Sequence, residues 1–474
     1  MLTLINANRM QPLIAPIGLD YVAGACRQAG IRTEALDLAL AEDPQAALTA
    51  HFAHRRDRLV GVTFRNVDDS FWPSAQSFLG ELEALVRRLR GLTEAPIVLG
   101  GVGFSILAGP ILQRIGADFG VRGDGEAALP MLAAELAGRR RFDRVPGLVW
   151  RRGQEVRANP PAWPADLTLP TQRDAIDNAR YFHLGGQGGM ETKRGCPGKC
   201  IYCADPLAKG PVVRPRPPAQ AVDEVKALLG QGVDVLHLCD GEFNIPLDHA
   251  KAVCRELIDR GLGGRVRWYA YLAVTPFDAE LAALMARAGC VGINFTTDSA
   301  DERMIAAYGH PHRRDDLARA VALSKAAGIT VMLDLLIGGP GETPESVRQS
   351  IQYLRGLEAD AIGAALGLRV YPGTPAAARI AAEGPMEHNP AIRRRYDGPV
   401  DLVQPTFYVS AALPDRPARF VNELIGDDPR FFKPLDVAGD GTASDHNYND
   451  NAALVAAIAA GRRGAYWDIL RRMR

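Results

Sequence analysis

The chain carries no excess charge of either sign. Its 55 lysines and arginines balance 55 aspartates and glutamates, so it lacks the basic field with which proteins gather nucleic-acid phosphates. It lacks any run of eighteen apolar residues, which excludes a spanning helix of ordinary length. Its opening Met1-Leu-Thr-Leu-Ile-Asn6 has no basic leader segment. Cysteine is scarce, seven in 474 residues, a usage that suits a reduced, cytoplasmic enzyme and not a disulfide scaffold. The short arginine runs Arg139–Arg141, Arg393–Arg395 and Arg471–Arg474 read as solvated helix faces or ends. The expected partner is a small molecule, with membrane and nucleic acid set aside.

Against that scarcity, three of the cysteines crowd into Lys193-Arg-Gly-Cys-Pro-Gly-Lys-Cys-Ile-Tyr-Cys-Ala-Asp-Pro206. Cys196, Cys200 and Cys203 have the spacing C-x3-C-x2-C. A zinc site would need a further Cys or His at ligand spacing, and none follows. Iron–sulfur cubes are normally held by four thiolates. Three leave one iron open to a chelating small molecule. Cys26, Cys239, Cys254 and Cys290 sit among apolar neighbours and read as small core residues.

The fold class is α/β. Over residues 1–150, short apolar strands at Leu2–Asn6, Ile31–Asp37, Leu59–Phe64, Ile97–Leu99 and Phe119–Val121 alternate with helical patterns at 16–30, 73–90 and 105–115. That alternation predicts a doubly wound parallel sheet, which binds ligands beyond its strand carboxyl ends. Arg65 and Asn66, then Gly100, Gly101 and Gly103, then Gly123, Gly125 and Glu126 fall at those ends. The glycines permit close backbone approach, but they do not form G-x-G-x-x-G, so no nicotinamide dinucleotide site is expected. Residues 151–185 read as a linker. From 186 to 385, six strand candidates alternate with helices, short of a complete eight-fold barrel. Residues 386–474 read as a mixed extension covering the barrel mouth.

The cysteine run closely resembles the signature of radical S-adenosylmethionine (radical SAM) enzymes. The Rossmann-like domain ahead of it, with Leu99-Gly-Gly-Val-Gly103, Gly116-Ala-Asp118 and Gly123-Asp-Gly-Glu126, resembles the cobalamin-binding domain of one large class of them. This resemblance covers most of the chain. It implies an N-terminal Rossmann-like cobalamin-binding-type domain, then a partial (β/α)6 radical SAM barrel. It also implies a [4Fe-4S] cluster on Cys196, Cys200 and Cys203, with SAM, cobalamin and an external electron donor such as flavodoxin or ferredoxin. Asp240-Gly241-Glu242 is similar to the Gly-Gly-Glu turn that binds the methionyl amino group, with Asp in place of the first Gly. By the same resemblance Asn294 and Asp298 suit the ribose hydroxyls, Ile337 and Gly338 open the turn that passes the adenine, and Tyr202 lies beside it. Arg65 would face the lower side of the corrin, although an ion pair with Asp68 or Asp69 is an equal alternative. The D-x-H-x-x-G motif is absent.

The implied reaction is methyl transfer to a carbon, less often a phosphorus, of a small molecule. Cyclisation, rearrangement or oxidation without methyl transfer is one alternative. RNA modification is another, although methylthiotransferases bring three more cluster cysteines in a first domain that here contains only Cys26. His310 and His312 have metal-ligand spacing but read as a solvated loop, His237 reads as barrel core with a place near SAM as the alternative, and His183 as a residue near substrate. Trp268-Tyr-Ala-Tyr271 reads as core packing. Tyr408, His446, Asn447, Tyr448 and Asn449 are candidate lining residues.

Overall fold

Apolar runs too short for helices build two parallel sheets. The computed structural model describes residues 1–153, 155–436 and 447–474, so His446 lies outside the described residues. The first sheet contains β1 (Leu2–Asn6), β2 (Thr33–Asp37), β3 (Leu59–Thr63), β4 (Ile97–Gly100), β5 (Phe119–Val121), β6 (Leu148–Arg152) and β7 (Glu155–Ala158). Their spatial order is β2-β1-β3-β4-β5-β6-β7. β1 to β5 pair in parallel, and β6 and β7 add an antiparallel hairpin. The hairpin carries the sheet past residue 150, into the stretch read as linker. The strand order reverses between β1 and β3, and a crevice opens at such a reversal.

Two helices differ from expectation. The pattern over 73–90 becomes helical only at Leu79, because the Asp69 carboxylate captures the backbone N–H of Phe71 and Gln76 and holds a loop there. The 105–115 pattern divides into Val102–Ile106 and Ala108–Ile115.

Next come β8 (Gly188–Met190) and the short pair β9 (Lys193–Arg194) and β10 (Arg214–Pro215). They are followed by β11 (Val235–Leu238), β12 (Arg267–Ala273), β13 (Cys290–Asp298), β14 (Thr330–Ile337) and β15 (Ala361–Leu366). β16 (Leu368–Arg369), β17 (Ile392–Arg394) and β18 (Thr406–Tyr408) form a small sheet, and β19 (Phe431–Phe432) comes last. The open barrel is β8-β11-β12-β13-β14-β15-β19, parallel throughout. It has a seventh strand, β19, contributed by the extension. Side chains alternate along each strand. Trp268, Ala270, Leu272, Ile293, Phe295, Val331 and Leu333 enter the core under the helices. Val235, Tyr269, Met332 and Ala361, near the strand starts, meet Trp467, Ile469 and Leu470 of the extension.

That last contact corrects the placement of the extension. Its final helix, Tyr466–Arg471, stoppers the base of the barrel, while β16 to β18 stand at the opposite end, where Ser410 N–H donates to Gly338 O at 2.7 Å. The Tyr269 hydroxyl donates to Asp468 at 2.8 Å, and Arg471 and Arg472 pair with the same carboxylate. These arginines therefore anchor the helix and are not simply solvated.

A buried polar clamp fixes the two sheets relative to each other. Arg173, from the linker, donates to Asp20 Oδ2 and Glu224 Oε1 at 2.7 Å each, to Gly189 O at 2.9 Å and to Asn178 Oδ1 at 3.0 Å. Arg216 and the Tyr21 hydroxyl complete the shell of Glu224. Asp20 and Tyr21 belong to the first domain and Glu224 to the barrel, so the clamp crosses the junction.

Candidate functional site

The carboxyl ends of β1, β3, β4 and β5 open into a cavity of about 510 Å³. Every first-domain residue singled out from the sequence lines it: Arg65, Asn66, Gly100, Gly101, Gly103, Gly123, Gly125 and Glu126. The barrel forms the opposite wall with Gly189, Glu191, Arg194, Lys209 and Cys239. A Cβ at Gly100 would meet nothing within 4 Å, so this backbone edge faces open space. At Gly101, φ is +99° and a Cβ would stand 2.7 Å from Phe64 O, so the loop closes down on β3 as only glycine allows.

Arg65 forms no ion pair among the described residues. The alternative pairing fails because Asp68 is taken by Arg369 at 2.9 Å and Asp69 by Ser74 and backbone N–H groups. Burial lowers the Arg65 pKa, while Cys239 and Tyr466 oppose that shift. Glu126 is engaged by Arg194 through two bonds of 3.0 and 2.8 Å, so its carboxylate braces the wall. Cys239 lines the cavity and is only partly buried, unlike Cys26, Cys254 and Cys290, which are core residues as expected. No histidine is among the lining residues. Among the described residues, a glycine-edged crevice with a cation that makes no ion pair and no imidazole in its lining fits a corrin held without a histidine ligand.

Beyond this wall lies the cysteine loop. All three thiols are partly buried, and burial raises Cys196 to about 11 and Cys203 higher still. A Cβ built on Gly198 would lie 3.1 Å from Cys196 Sγ and 3.9 Å from Cys200 Sγ, so glycine keeps the space between two sulfurs clear. No group of three His, Cys, Asp or Glu side chains among the described residues converges on a single ion. In a cubane each thiolate takes its own iron, so spread sulfurs around a cleared centre fit that group.

Gly241 faces this loop, its Cβ position 3.8 Å from Cys196 Sγ. Beside it Glu242 accepts from Thr296 Oγ1 at 2.8 Å, while its Oε2 is buried with no partner among the described residues. Burial pushes this carboxyl up to about 7 against that hydrogen bond. An acceptor held without a donor suits a cationic amine. Asp240, in the same turn, is instead consumed: it accepts from Thr192 N and Oγ1 and from Lys193 N and Nζ. Its two oxygens pin the chain entering the cysteine loop.

Asp298 ends β13 at a positive φ of 55° and accepts from the Tyr202 hydroxyl and from His310 Nε2, the latter at 2.5 Å. His310 Nδ1 lies 3.7 Å from Cys200 Sγ. The expected solvated loop is thus wrong: His312 is buried, the His310 side chain is only 5% exposed, and His310 links a cluster cysteine to Asp298. Burial alone would lower the His310 pKa, but the hydrogen bonds to Asp298 and Cys200 outweigh it and raise it to about 10. His312 is pushed down to about 4 by burial and by that neighbouring charge. Ile337 and Gly338 close β14, where Gly338 has φ +101°. Glu342 caps that turn from within, accepting from Ser346, Tyr308 and Gly338 N–H.

Asn294 is buried on the inner face of β13 and donates to Asp334 of β14 at 2.8 Å. Tyr271 stands 38% exposed inside the barrel, with the His237 ring tilted against it at 5.3 Å between centroids, so neither is core packing. Trp268 is core as expected. His183 is exposed beside Arg463, away from the lumen. Tyr408 is buried in the small sheet with Glu383, and Asn447 and Asn449 bond to the Asp69–Ser74 loop. Sequence reading missed Asp334 and the Arg173 clamp. A carboxylate inside the apolar run Val331–Ile337 was the available signal for Asp334.

Residues 4–133 match the family model of the B12 binding domain, and residues 190–354 that of the Radical SAM superfamily. The chain is 30% identical to a tryptophan 2-C-methyltransferase from Streptomyces laurentii, over 98% of this chain and 94% of that one. Among solved structures it is similar to the radical S-adenosylmethionine methyltransferase TsrM from Kitasatospora setae. With tryptophan and a SAM analogue bound, that structure gives a TM-score of 0.92 at 31% identity, covering 100% of this chain and 99% of the other. With cobalamin and a [4Fe-4S] cluster bound, the TM-score is 0.88 at 28% identity over 99% and 97%.

Proposed function

This chain belongs to the cobalamin-dependent radical SAM methyltransferase family, and on that premise we propose that it methylates a carbon of a small aromatic amine, tryptophan being the first acceptor to test. The observation that carries this reading is the shared cavity: glycine loops and Arg65 on one wall, the barrel strand ends with Cys239 on the other. A corrin in that crevice would be walled by the first domain on one side and by the barrel residues Gly189, Glu191 and Cys239 on the other. Indole recognition is suggested by the tryptophan acted on by two relatives that match this chain along nearly its whole length.

Cys196, Cys200 and Cys203 would hold the [4Fe-4S] cluster, and Arg65, Asn66, Gly100, Gly101, Gly103, Gly123 and Gly125 would surround the cobalamin. When bound, these groups supply electrons and a transferable methyl group. The chain itself positions and excludes. Glu242 Oε2 would accept from the SAM ammonium and Asp298 would serve the ribose hydroxyls, whereas Asn294, bonded to Asp334 deeper on β13, is left for another group. Tyr202 and the Ile337–Gly338 backbone would border the adenine. Arg65, half-buried and without an ion pair among the described residues, would lie against the corrin and keep water from it. Glu126 and Asp240 are structural, bracing Arg194 and the Lys193 segment. An external donor such as flavodoxin or ferredoxin would serve the cluster, in the reduced cytoplasm.

The test is anaerobic reconstitution with iron, sulfide and hydroxocobalamin, followed by SAM and tryptophan. The expected products are S-adenosylhomocysteine and a carbon-methylated indole in equal amounts. Failure to retain corrin, or 5′-deoxyadenosine without S-adenosylhomocysteine, overturns methyl transfer. S-adenosylhomocysteine formed only with another acceptor overturns tryptophan alone.

A further inference from the structure

Inside the barrel, two neighbouring acceptors on β13 and β14 lack donors. Asn294 Nδ2 donates to Asp334 Oδ2, which orients the amide because a carboxylate accepts but does not donate. That leaves Asn294 Oδ1 and Asp334 Oδ1 each buried with no hydrogen-bond partner among the described residues. Buried acceptors in native proteins are almost always satisfied; Tyr271 is the chain's own group within reach of Asn294, and Asp334 Oδ1 is the oxygen that calls for a donor from outside the chain.

The donor should be cationic. Asp334 makes no ion pair among the described residues, and the charged group acting on it is another carboxylate, Asp298. Asp298 itself is already served by Tyr202 and His310. Asn294 precedes Thr296, the partner of Glu242, by two residues on the same face of β13, about 7 Å along the strand. Asp334 lies in register with Thr296 and Thr297, so the pair reaches from that level to the one beneath, and binding has to distinguish its occupant from the SAM ammonium. The surroundings are aromatic: Tyr271 is partly exposed to the lumen, His237 lies against its ring, and Tyr448 interacts electrostatically with both Asp334 and Tyr271.

We propose that Asp334 and Asn294 dock the protonated amine of the methyl acceptor, whose aromatic ring lies against Tyr271. This rests on the methyl-transfer reading only for the identity of the bound molecule as the acceptor. The amine would place the ring between the base of the barrel and the layer holding SAM. A neutral or anionic acceptor would leave Asp334 Oδ1 unsatisfied.

The test measures anaerobic binding to reconstituted, SAM-loaded enzyme by calorimetry. The probes are L-tryptophan, tryptamine and indole-3-propionate, which lacks the amine. Tryptophan and tryptamine should bind at least tenfold more tightly than indole-3-propionate, the range expected for one charge-assisted hydrogen bond. In Asp334→Asn that preference should vanish while indole-3-propionate binding stays unchanged. Equal binding of all three probes by the wild type overturns the proposal without any variant. So does an Asp334→Asn protein that loses SAM affinity but keeps its preference for the amines, because Asp334 would then serve the sulfonium. If the wild type binds no probe yet makes S-adenosylhomocysteine with a non-amine acceptor, the docking site falls and methyl transfer stands.

Discussion

Replacing Arg173 with methionine tests whether the two domains are held together by buried charge. The side chain is 1% exposed and satisfies Asp20 and Glu224 at 2.7 Å each, and their side chains are equally buried. Removing one partner of a buried ion pair costs about 3–5 kcal/mol, because the other charge is left uncompensated. Here Glu224 keeps Arg216 and Tyr21, and Asp20 keeps the N–H of Ala175 and the amide of Asn178. The loss should therefore lie near the lower end, about 3 kcal/mol, which is roughly a hundredfold rise in the open population of the junction. A two-domain chain is not expected to unfold in one step, so a single melting temperature is the wrong readout. Hydrogen exchange at residues 173–178 and at Gly189 reports the junction directly. Exchange there should accelerate about a hundredfold while β13 and β14 remain protected. Hydroxocobalamin binding should weaken with it, because both domains wall the cavity. Unchanged exchange in a folded Arg173→Met protein would refute the clamp.

Gly100→Leu should abolish hydroxocobalamin binding without lowering stability, because the new side chain enters open space, whereas Gly101→Ala should lower the thermal midpoint through its φ of +99° and the clash with Phe64 O; absorbance titration and thermal melts separate the two. Glu242→Gln should weaken SAM binding at least tenfold by equilibrium dialysis, having lost a charge-assisted acceptor. His310→Phe should move the cluster potential to a more negative value in an EPR-monitored titration, since a hydrogen bond to Cys200 Sγ is lost. Burial raises Asp334 to about 7. A carboxyl whose folded pKa is raised contributes stability below its ordinary range and loses it as pH climbs through 7. The ligand-free protein should thus weaken between pH 4 and 8, and Asp334→Asn should flatten that part of the profile.

What the sequence disclosed is local. Cys196, Cys200 and Cys203 announce themselves by spacing, and the glycines after β4 and β5 by their place at strand ends, because each requirement is met within a few consecutive residues. His310 was misread for the opposite reason. Gly309-His-Pro-His312 has the composition of a solvated loop, and only the fold brings it against Cys200, 110 positions away. The clamp joins residues 20, 173 and 224, each an ordinary surface-type side chain in its own neighbourhood. Asp240 shows a subtler limit. The motif located the turn, but the neighbouring Lys193 and Thr192 decided that its oxygens look inward. The seventh strand was hidden because two phenylalanines are too few for a periodic signal.

Trp467, Ile469 and Leu470 pack against the barrel from beneath, so that end is closed to traffic. If the acceptor docks at Asp334 and SAM at Glu242 as proposed, both would have to enter from the end where the first domain stands, and the deeper molecule would be the first to arrive and the last to leave.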